Sequence, residues 1–372
     1  MQFGLNESQK ILKENARQFF AGECPMTHVR QLAESKQTYD PGLWSKMAAQ
    51  GYTGIIFPEK YDGLGLGTVE LILLMEEAGR ALLPGPFWST IVLAGTVIDA
   101  VASDEQKTKY LARICRGEAR STFALLEAAA SWDLADANLV AANGRLMGEK
   151  LFVLDADVAD FILVAAQSGV FLVEAQAPGL SITPMPALDL TRNFYAVQFH
   201  NTPAEKLGGG ANLARALDVS TAALVAEMVG GMQRVLDLTV DYAKMRKQFG
   251  KPIGTFQAVQ HQCADMYLET ESSRSAAYYA AWALEHDAPD AATATSIAKM
   301  YASDACRAVG NHAIQIHGGN GFAWENDLHL YYRRAKASEA MLGDAMFHRE
   351  RIARLVIDCV AAAGCSSDRS SR

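Results

Sequence analysis

Between Leu213 and Tyr242 the chain places Leu213, Leu217, Thr221, Leu224, Met228, Met232, Val235, Thr239 and Tyr242 at steps of three or four. That spacing lays one apolar stripe along a helix of about eight turns, which spans a domain from end to end and needs other helices to cover it. Similar periodicity predicts helices over 256–285, 291–316 and 335–363. Between 121 and 210 the period falls to two. Short runs over 170–173, 180–183 and 194–200 read as strands, with Tyr195, Val197 and Phe199 alternating in the last. The run 161–166 is almost wholly apolar, as expected of a strand buried on both faces. Upstream of residue 121 the period is again helical, for example Leu71, Leu74, Met75, Ala78 and Leu82. Pro58 to Gly67, with Gly63, Gly65 and Gly67 at alternate positions, predicts a tight loop, and Leu83-Pro84-Gly85-Pro86 is a second break. The fold class is therefore α+β and mostly α. A helical domain over 1–120, a small antiparallel β domain over 121–210 and a C-terminal four-helix bundle over 211–372 are expected, since 372 residues exceed what one core normally holds.

Several functions are excluded by composition. A formal charge of -8 with a pI near 5.5 argues against a nucleic-acid partner, whose binding rests on clustered Lys and Arg. No uninterrupted apolar run is long enough for a membrane span, and residues 1–7 lack a basic region followed by an apolar one, so a cytoplasmic protein is expected. Cys24, Cys115, Cys263, Cys306, Cys359 and Cys365 form neither CxxC pairs nor zinc spacings, so reduced thiols and no metal site are expected. Residues 364–372 read as a frayed polar tail.

Two segments carry the chemistry. Arg246-Lys247-Gln248-Phe249-Gly250-Lys251-Pro252-Ile253 and Gln315-Ile316-His317-Gly318-Gly319-Asn320-Gly321-Phe322 each set polar groups beside glycines at the end of a helical pattern. Such ends bring backbone close to a phosphate-bearing cofactor. On these residues alone, Arg246 could equally favour the dipole at its helix terminus and Gly318-Gly319 be a plain turn. Together with Gly51-Tyr52, Phe57-Pro58-Glu59, Gly63-Leu64-Gly65, Glu76-Glu77-Ala78-Gly79-Arg80, Phe256-Gln257 and Ala264-Asp265-Met266, their order and spacing resemble the acyl-CoA dehydrogenase family across nearly the whole chain. The resemblance implies FAD as cofactor and an acyl-CoA thioester as substrate, dehydrogenated between its α and β carbons. An electron-transfer flavoprotein or other acceptor and a homo- or hetero-oligomer are implied as partners. It also implies that Arg246, Gln248, Phe249, Phe256 and Gln257 contact the adenine-dinucleotide part of FAD, and that Gln315, Gly318 and Gly319 do so across a subunit interface.

The departures from the family pattern are equally specific. Where the family carries its catalytic glutamate, in the C-terminal domain or near the start of the long helix, this chain has Leu342 or Ser220, and neither side chain is a base at neutral pH. The family segment Trp-Ile-Thr, whose hydroxyl faces the flavin ring, reads Phe152-Val153-Leu154, and the glycines of a preceding segment are lost in Glu127 to Asp133. Trp132 there suits either an aromatic ligand or core packing. Glu227 and Asp344 are the replacement candidates for the base. Glu227 keeps within about 20° of the face of Ser220 but lies roughly 10 Å further along the axis, and its plainer reading is a carboxylate paired with a neighbouring arginine. Arg333, Arg334 and Lys336 read as a solvated or phosphate-facing basic cluster, and His317 as packing or bonding to backbone. Two functions fit: an acyl-CoA dehydrogenase, or a non-catalytic subunit that completes the FAD site of a sister chain holding the glutamate.

Overall fold

Helices α1 (Glu7–Glu23), α2 (Met26–Glu34), α3 (Pro41–Ala49), α4 (Thr68–Arg80), α5 (Thr96–Val101), α6 (Asp104–Gln106) and α7 (Ala112–Cys115) precede the strands in a computed structural model that describes residues 4–35, 37–208 and 212–358. Gly209, Gly210, Cys359, Cys365 and the polar tail lie outside the described residues. Helix α1 starts where Asn6 and Gln9 exchange side-chain-to-backbone bonds of 2.8 and 3.0 Å, satisfying amides that have no partner within the helix. The alternating glycines do form a tight turn: a Cβ on Gly63 would stand 2.0 Å from the Phe57 carbonyl oxygen.

The strands are β1 (Ser121–Ala124), β2 (Val140–Ala142), β3 (Arg145–Leu154), β4 (Phe161–Ala166), β5 (Gly169–Glu174), β6 (Leu180–Met185), β7 (Phe194–Pro203) and β8 (Glu205–Lys206). They make two four-stranded sheets, ordered β1-β4-β5-β8 and β2-β3-β7-β6, antiparallel at every pairing except β1 with β4. Strand β4 is buried at every position because its faces serve two cores. Phe161, Leu163 and Ala165 join the core shared with the helices, while Ile162, Val164 and Ala166 fill the space between the sheets.

Helix α8 (Leu213–Met245) runs 33 residues, about 50 Å. A two-residue-turn hairpin, β9 (Lys247–Gln248) and β10 (Lys251–Pro252), follows, then α9 (Gln257–Glu285) and α10 (Ala291–His317). The single helix expected over 335–363 is a correction. The chain forms α11 (Leu328–Ala340), breaks at 341–344, and resumes as α12 (Ala345–Ala353). Leu342 and Gly343 adopt φ of 55° and 97°, which no helix accepts, and Asp344 caps α12 by accepting from the Phe347 amide at 2.8 Å. Helix α8 crosses α4 backbone to backbone: a Cβ on Gly230 would stand 1.8 Å from the Glu76 carbonyl, and one on Gly79 2.0 Å from that of Glu227. Glycine is required at both positions of that crossing. No helix among the described residues is long and apolar enough to cross a membrane.

Candidate functional site

A cavity of about 600 Å³ opens between the sheets and the broken helix. Its wall is mostly apolar and includes Trp88, Leu126, Trp132, Phe152, Leu154, Phe194 and Leu342. Trp88 stands in a π-helical stretch, Trp88–Gly95, a local geometry often found at functional sites. Phe152 adopts φ of 53° and remains half exposed, while the chain on either side pairs within the sheet. A second chamber of about 240 Å³ shares Leu125, Trp132, Leu342 and Phe347 with the first. It is the polar part of the site. Arg351 donates to both oxygens of Asp218 at 2.6 and 2.9 Å, joining α12 to α8, and His348 lies on the same wall.

Neither family position supplies a carboxylate to these chambers. Leu342 lies on both walls, and Ser220 is fully buried between α8 and the π-helical stretch, bonded to the Val92 carbonyl at 2.7 Å and to Thr96. The carboxylates on the larger wall are Asp189 and Asp344. Asp189 is held by Arg334 at 2.7 Å and by Thr191; the charges of Arg334 and Arg192 overcome its burial and keep its carboxyl below the ordinary range. Asp344 is exposed and gives one oxygen to its helix cap.

Glu227 is not on the wall of the large cavity. One of its oxygens receives Arg334 at 2.7 Å and the other pairs with Arg192. Arg192 continues to Ser338 at 2.8 Å and covers one face of Trp88. Two arginines and two carboxylates thus form a neutral buried cluster joining Asp189–Arg192 of the β region to α8 and α11. The solvated basic cluster expected at Arg333, Arg334 and Lys336 is corrected accordingly, because Arg334 is enclosed and only its neighbours reach the surface. The plainer reading of Glu227, a carboxylate paired with an arginine, holds; what sequence reading missed is which arginines and the joining of Asp189, although Asp189-Leu190-Thr191-Arg192 gave a sign in placing two opposite charges beside an apolar strand.

Two other buried cations escaped notice. Lys150 donates to the Leu125 carbonyl at 2.9 Å and to Glu127 at 2.6 Å, so the retained Glu127 ties down the loop before β2. Lys299 is wholly buried and donates to Ser303 Oγ and to the carbonyls of Glu339 and Gly343 at 3.1, 2.9 and 2.8 Å. Burial lowers its ammonium to about 8. The run 298–305 hid it, since its small residues already read as an ordinary packed helix.

At the far end of the bundle the two glycine-bearing segments meet. Tyr242, one turn before Arg246, stacks on His317 with ring centroids 4.2 Å apart, and Asn320 donates to the Tyr242 hydroxyl at 3.3 Å. His317 bonds the Ala313 carbonyl, and its burial lowers its pKa. Arg246, Gln248, Gln257, Gln315, Gly318 and Gly319 are all exposed, and Phe256 is half-buried under Phe249 and Lys251. Phe249, at the hairpin tip, is 91% exposed. Nothing lies within 4 Å of a Cβ built on Gly318 or Gly319. Among the described residues no cluster of side chains could hold a metal ion.

Comparison with known proteins agrees along the length of the chain. Residues 6–118 match the family model described as acyl-CoA dehydrogenase, N-terminal domain, and residues 208–357 match the one for the C-terminal domain. The acyl-CoA dehydrogenase IpdE2 of Mycolicibacterium smegmatis is 32% identical over 354 residues, covering 94% of this chain and 98% of that protein. A solved steroid ACAD, Tcur3481-Tcur3483, is 34% identical with a TM-score of 0.88, covering 95% and 99% of the two chains. PigA, solved with FAD and proline, is 27% identical with a TM-score of 0.87 over 95% of this chain and 98% of its own.

Proposed function

The chain belongs to the acyl-CoA dehydrogenase family, and on that premise we propose that it binds FAD and a CoA thioester and serves the α,β-dehydrogenation of the acyl group. The observation that carries this reading is the open end of the bundle. The Tyr242–His317 stack brings the Arg246 hairpin beside Gly318-Gly319, and the space a side chain would fill there is empty. That arrangement fits the diphosphate and adenine of FAD, approached by backbone and by the guanidinium of Arg246. The bare Phe249 ring supports completion of this site by a second chain, in a homo- or hetero-oligomer. The apolar slot between Leu126, Phe152 and Leu154 fits the flat face of a flavin.

Bound FAD would supply the hydride acceptor, with an electron-transfer flavoprotein or another acceptor taking the electrons onward. This chain's residues do the rest. The apolar wall excludes water from the reacting carbons, and the polar chamber of Asp218, Arg351 and His348 suits the amide-bearing arm of a CoA thioester. Glu227 we assign to structure, since both its oxygens are engaged, which leaves Asp344 as this chain's free carboxylate on the wall. The acyl group is either a fatty or a sterol side chain, the latter suggested by the steroid enzyme it resembles. The setting is cytoplasmic.

The Leu342 side chain at the family's base position favours a second reading, in which the chain completes the site of a sister subunit that brings the proton acceptor. The chain purified alone separates the two. A bound flavin whose visible absorbance bleaches on addition of an acyl-CoA supports an autonomous enzyme, and Asp344→Asn should then abolish bleaching. A colourless protein that acquires flavin only with a sister chain supports the subunit.

A further inference from the structure

Most of the wall of the larger cavity is accounted for by the ligands proposed above. Leu126, Phe152 and Leu154 face the flavin, and the polar chamber that shares Trp132, Leu342 and Phe347 with this cavity takes the arm of CoA. Trp88, Leu93 and Phe123 line the cavity and not the chamber, so they are left for the acyl group. Of these only Trp88 carries a polar side-chain atom, and it is 6% exposed. Its Nε1–H finds no acceptor among the described residues. An indole donates and cannot accept, and one enclosed without a partner has lost its bond to water with nothing in return. A phenylalanine would line the same wall without an orphaned proton.

The ring is also held in place. The Arg192 guanidinium covers one face, 5.6 Å from the ring centroid, and is itself fixed by Glu227 and Ser338. Along the chain, the residues that follow anchor the π-helical stretch: Ser89 donates to Asp155 at 2.6 Å and Thr90 to the Ser121 carbonyl at 2.9 Å. A ring clamped in this way cannot swing to reach an acceptor elsewhere. Neighbouring polar groups on the wall are already engaged, Ser131 with Asp136 and Asp189 with Arg334. We propose that Trp88 is a specificity-determining residue whose indole N–H donates to an oxygen carried by the acyl group beyond its β carbon, so that the substrate is a keto- or hydroxyacyl-CoA rather than a plain hydrocarbon chain. A site built around a buried donor rejects the analogue that lacks the acceptor, because that ligand shuts water out and offers no bond. The proposal rests on the acyl-CoA reading above.

The test uses the full chain with its flavin, alone or with the sister chain that brings it. Acyl-CoA thioesters are compared in pairs, straight-chain and alicyclic, one of each pair bearing a keto oxygen beyond the β carbon. By calorimetry at least one keto compound should bind about tenfold more tightly than its parent, the difference that one good hydrogen bond makes in a closed site. Trp88→Phe should lose that gap, whatever it does to the affinity for the parent. In a chain isotopically labelled at its tryptophan nitrogens, the indole resonance that this substitution removes should move further downfield with the keto compound than with the parent. Parents that bind with no keto compound ahead of them overturn the proposal and leave the acyl-CoA reading standing, and that comparison needs no variant. A gap that survives Trp88→Phe, or a Trp88 resonance that does not distinguish the pair, overturns it as well. Should no thioester of either kind bind, the acyl-CoA reading fails and the proposal fails with it.

Discussion

The buried cluster around Glu227 and the open end of the bundle around Arg246 both set charged or aromatic residues where a sequence reader would suspect function. They differ in whether the chain answers its own residues. Glu227, Asp189, Arg192 and Arg334 satisfy one another with short bonds and no net charge. Arg246 caps α8 and faces solvent, Phe249 is bare, and Gly318 and Gly319 face empty space. A charge whose partners all lie within the chain has been placed for stability or geometry. A conformation or exposed ring that nothing in the chain uses points to something outside it.

The contrast is tested hardest at Arg334. Arg334→Met leaves Asp189 and one oxygen of Glu227 buried without their cation, and should cost about 3–5 kcal/mol of unfolding free energy. A denaturant midpoint close to that of the wild type would mean the cluster is solvated and the distinction between the regions false. The same substitution at the open end, Arg246→Met, should leave the midpoint of the isolated chain within about 0.5 kcal/mol, as for any exposed side chain without special contacts.

The same contrast explains what could be read in advance. The unbroken apolar run of β4 announced two buried faces, and the stripe of α8 announced a long covered helix, because periodicity reports burial directly. That Glu227 pairs with an arginine was legible, but the partners were not, because the cluster's bonds close over great separations: Arg334 reaches an aspartate 145 residues away. Lys299 was hidden in the same way, by carbonyl partners 40 and 44 residues downstream. The break at Leu342 was missed because its apolar neighbours continue a helical pattern, although Gly343 followed by a capping aspartate is a stop and a start in adjacent positions. The ends of α8 and α10 at the glycine segments were legible because backbone requirements are written in residue type.

Titration sharpens the comparison by a smaller amount. Burial, then the charge of Lys299, pushes His348 down to about 3. Its neutral form in the fold contributes stability that is whole above the ordinary histidine value and is lost as pH falls through the window from about 6.5 to about 3. By about pH 5 this should amount to about 2 kcal/mol, which His348→Asn should remove from the acid limb of a denaturation series. An acid limb unaltered by the substitution would place His348 in water rather than behind the break at Leu342. Asp155 runs the other way. Enclosed beside Ser89, which donates at 2.6 Å, it is raised by burial to about 6. Its favourable contribution is present below the ordinary carboxylate value and lost as pH rises through about 6, so the ionised form weakens the fold at neutral pH. Asp155 also adopts φ of 49°, a conformation asparagine tolerates well. Asp155→Asn should therefore stabilise the chain at neutral pH by about 1 kcal/mol, once the weaker bond from Ser89 to a neutral acceptor is allowed for. A loss of stability at that pH would show that the ionised form is wanted.

The smallest expected effect on stability is the most informative about the open end. Phe249→Ser removes a ring that is 91% exposed and touches Phe256 only edge-on, with centroids 6.1 Å apart. The melting of the isolated chain should move by no more than about 0.5 kcal/mol. If the ring covers a cofactor shared with a second chain, the same substitution should weaken flavin retention and the assembly that accompanies it, read by absorbance of the eluting peak and by light scattering. A ring that matters to neither, or that matters to folding alone, would make the open end a surface like any other and remove the difference between the two regions.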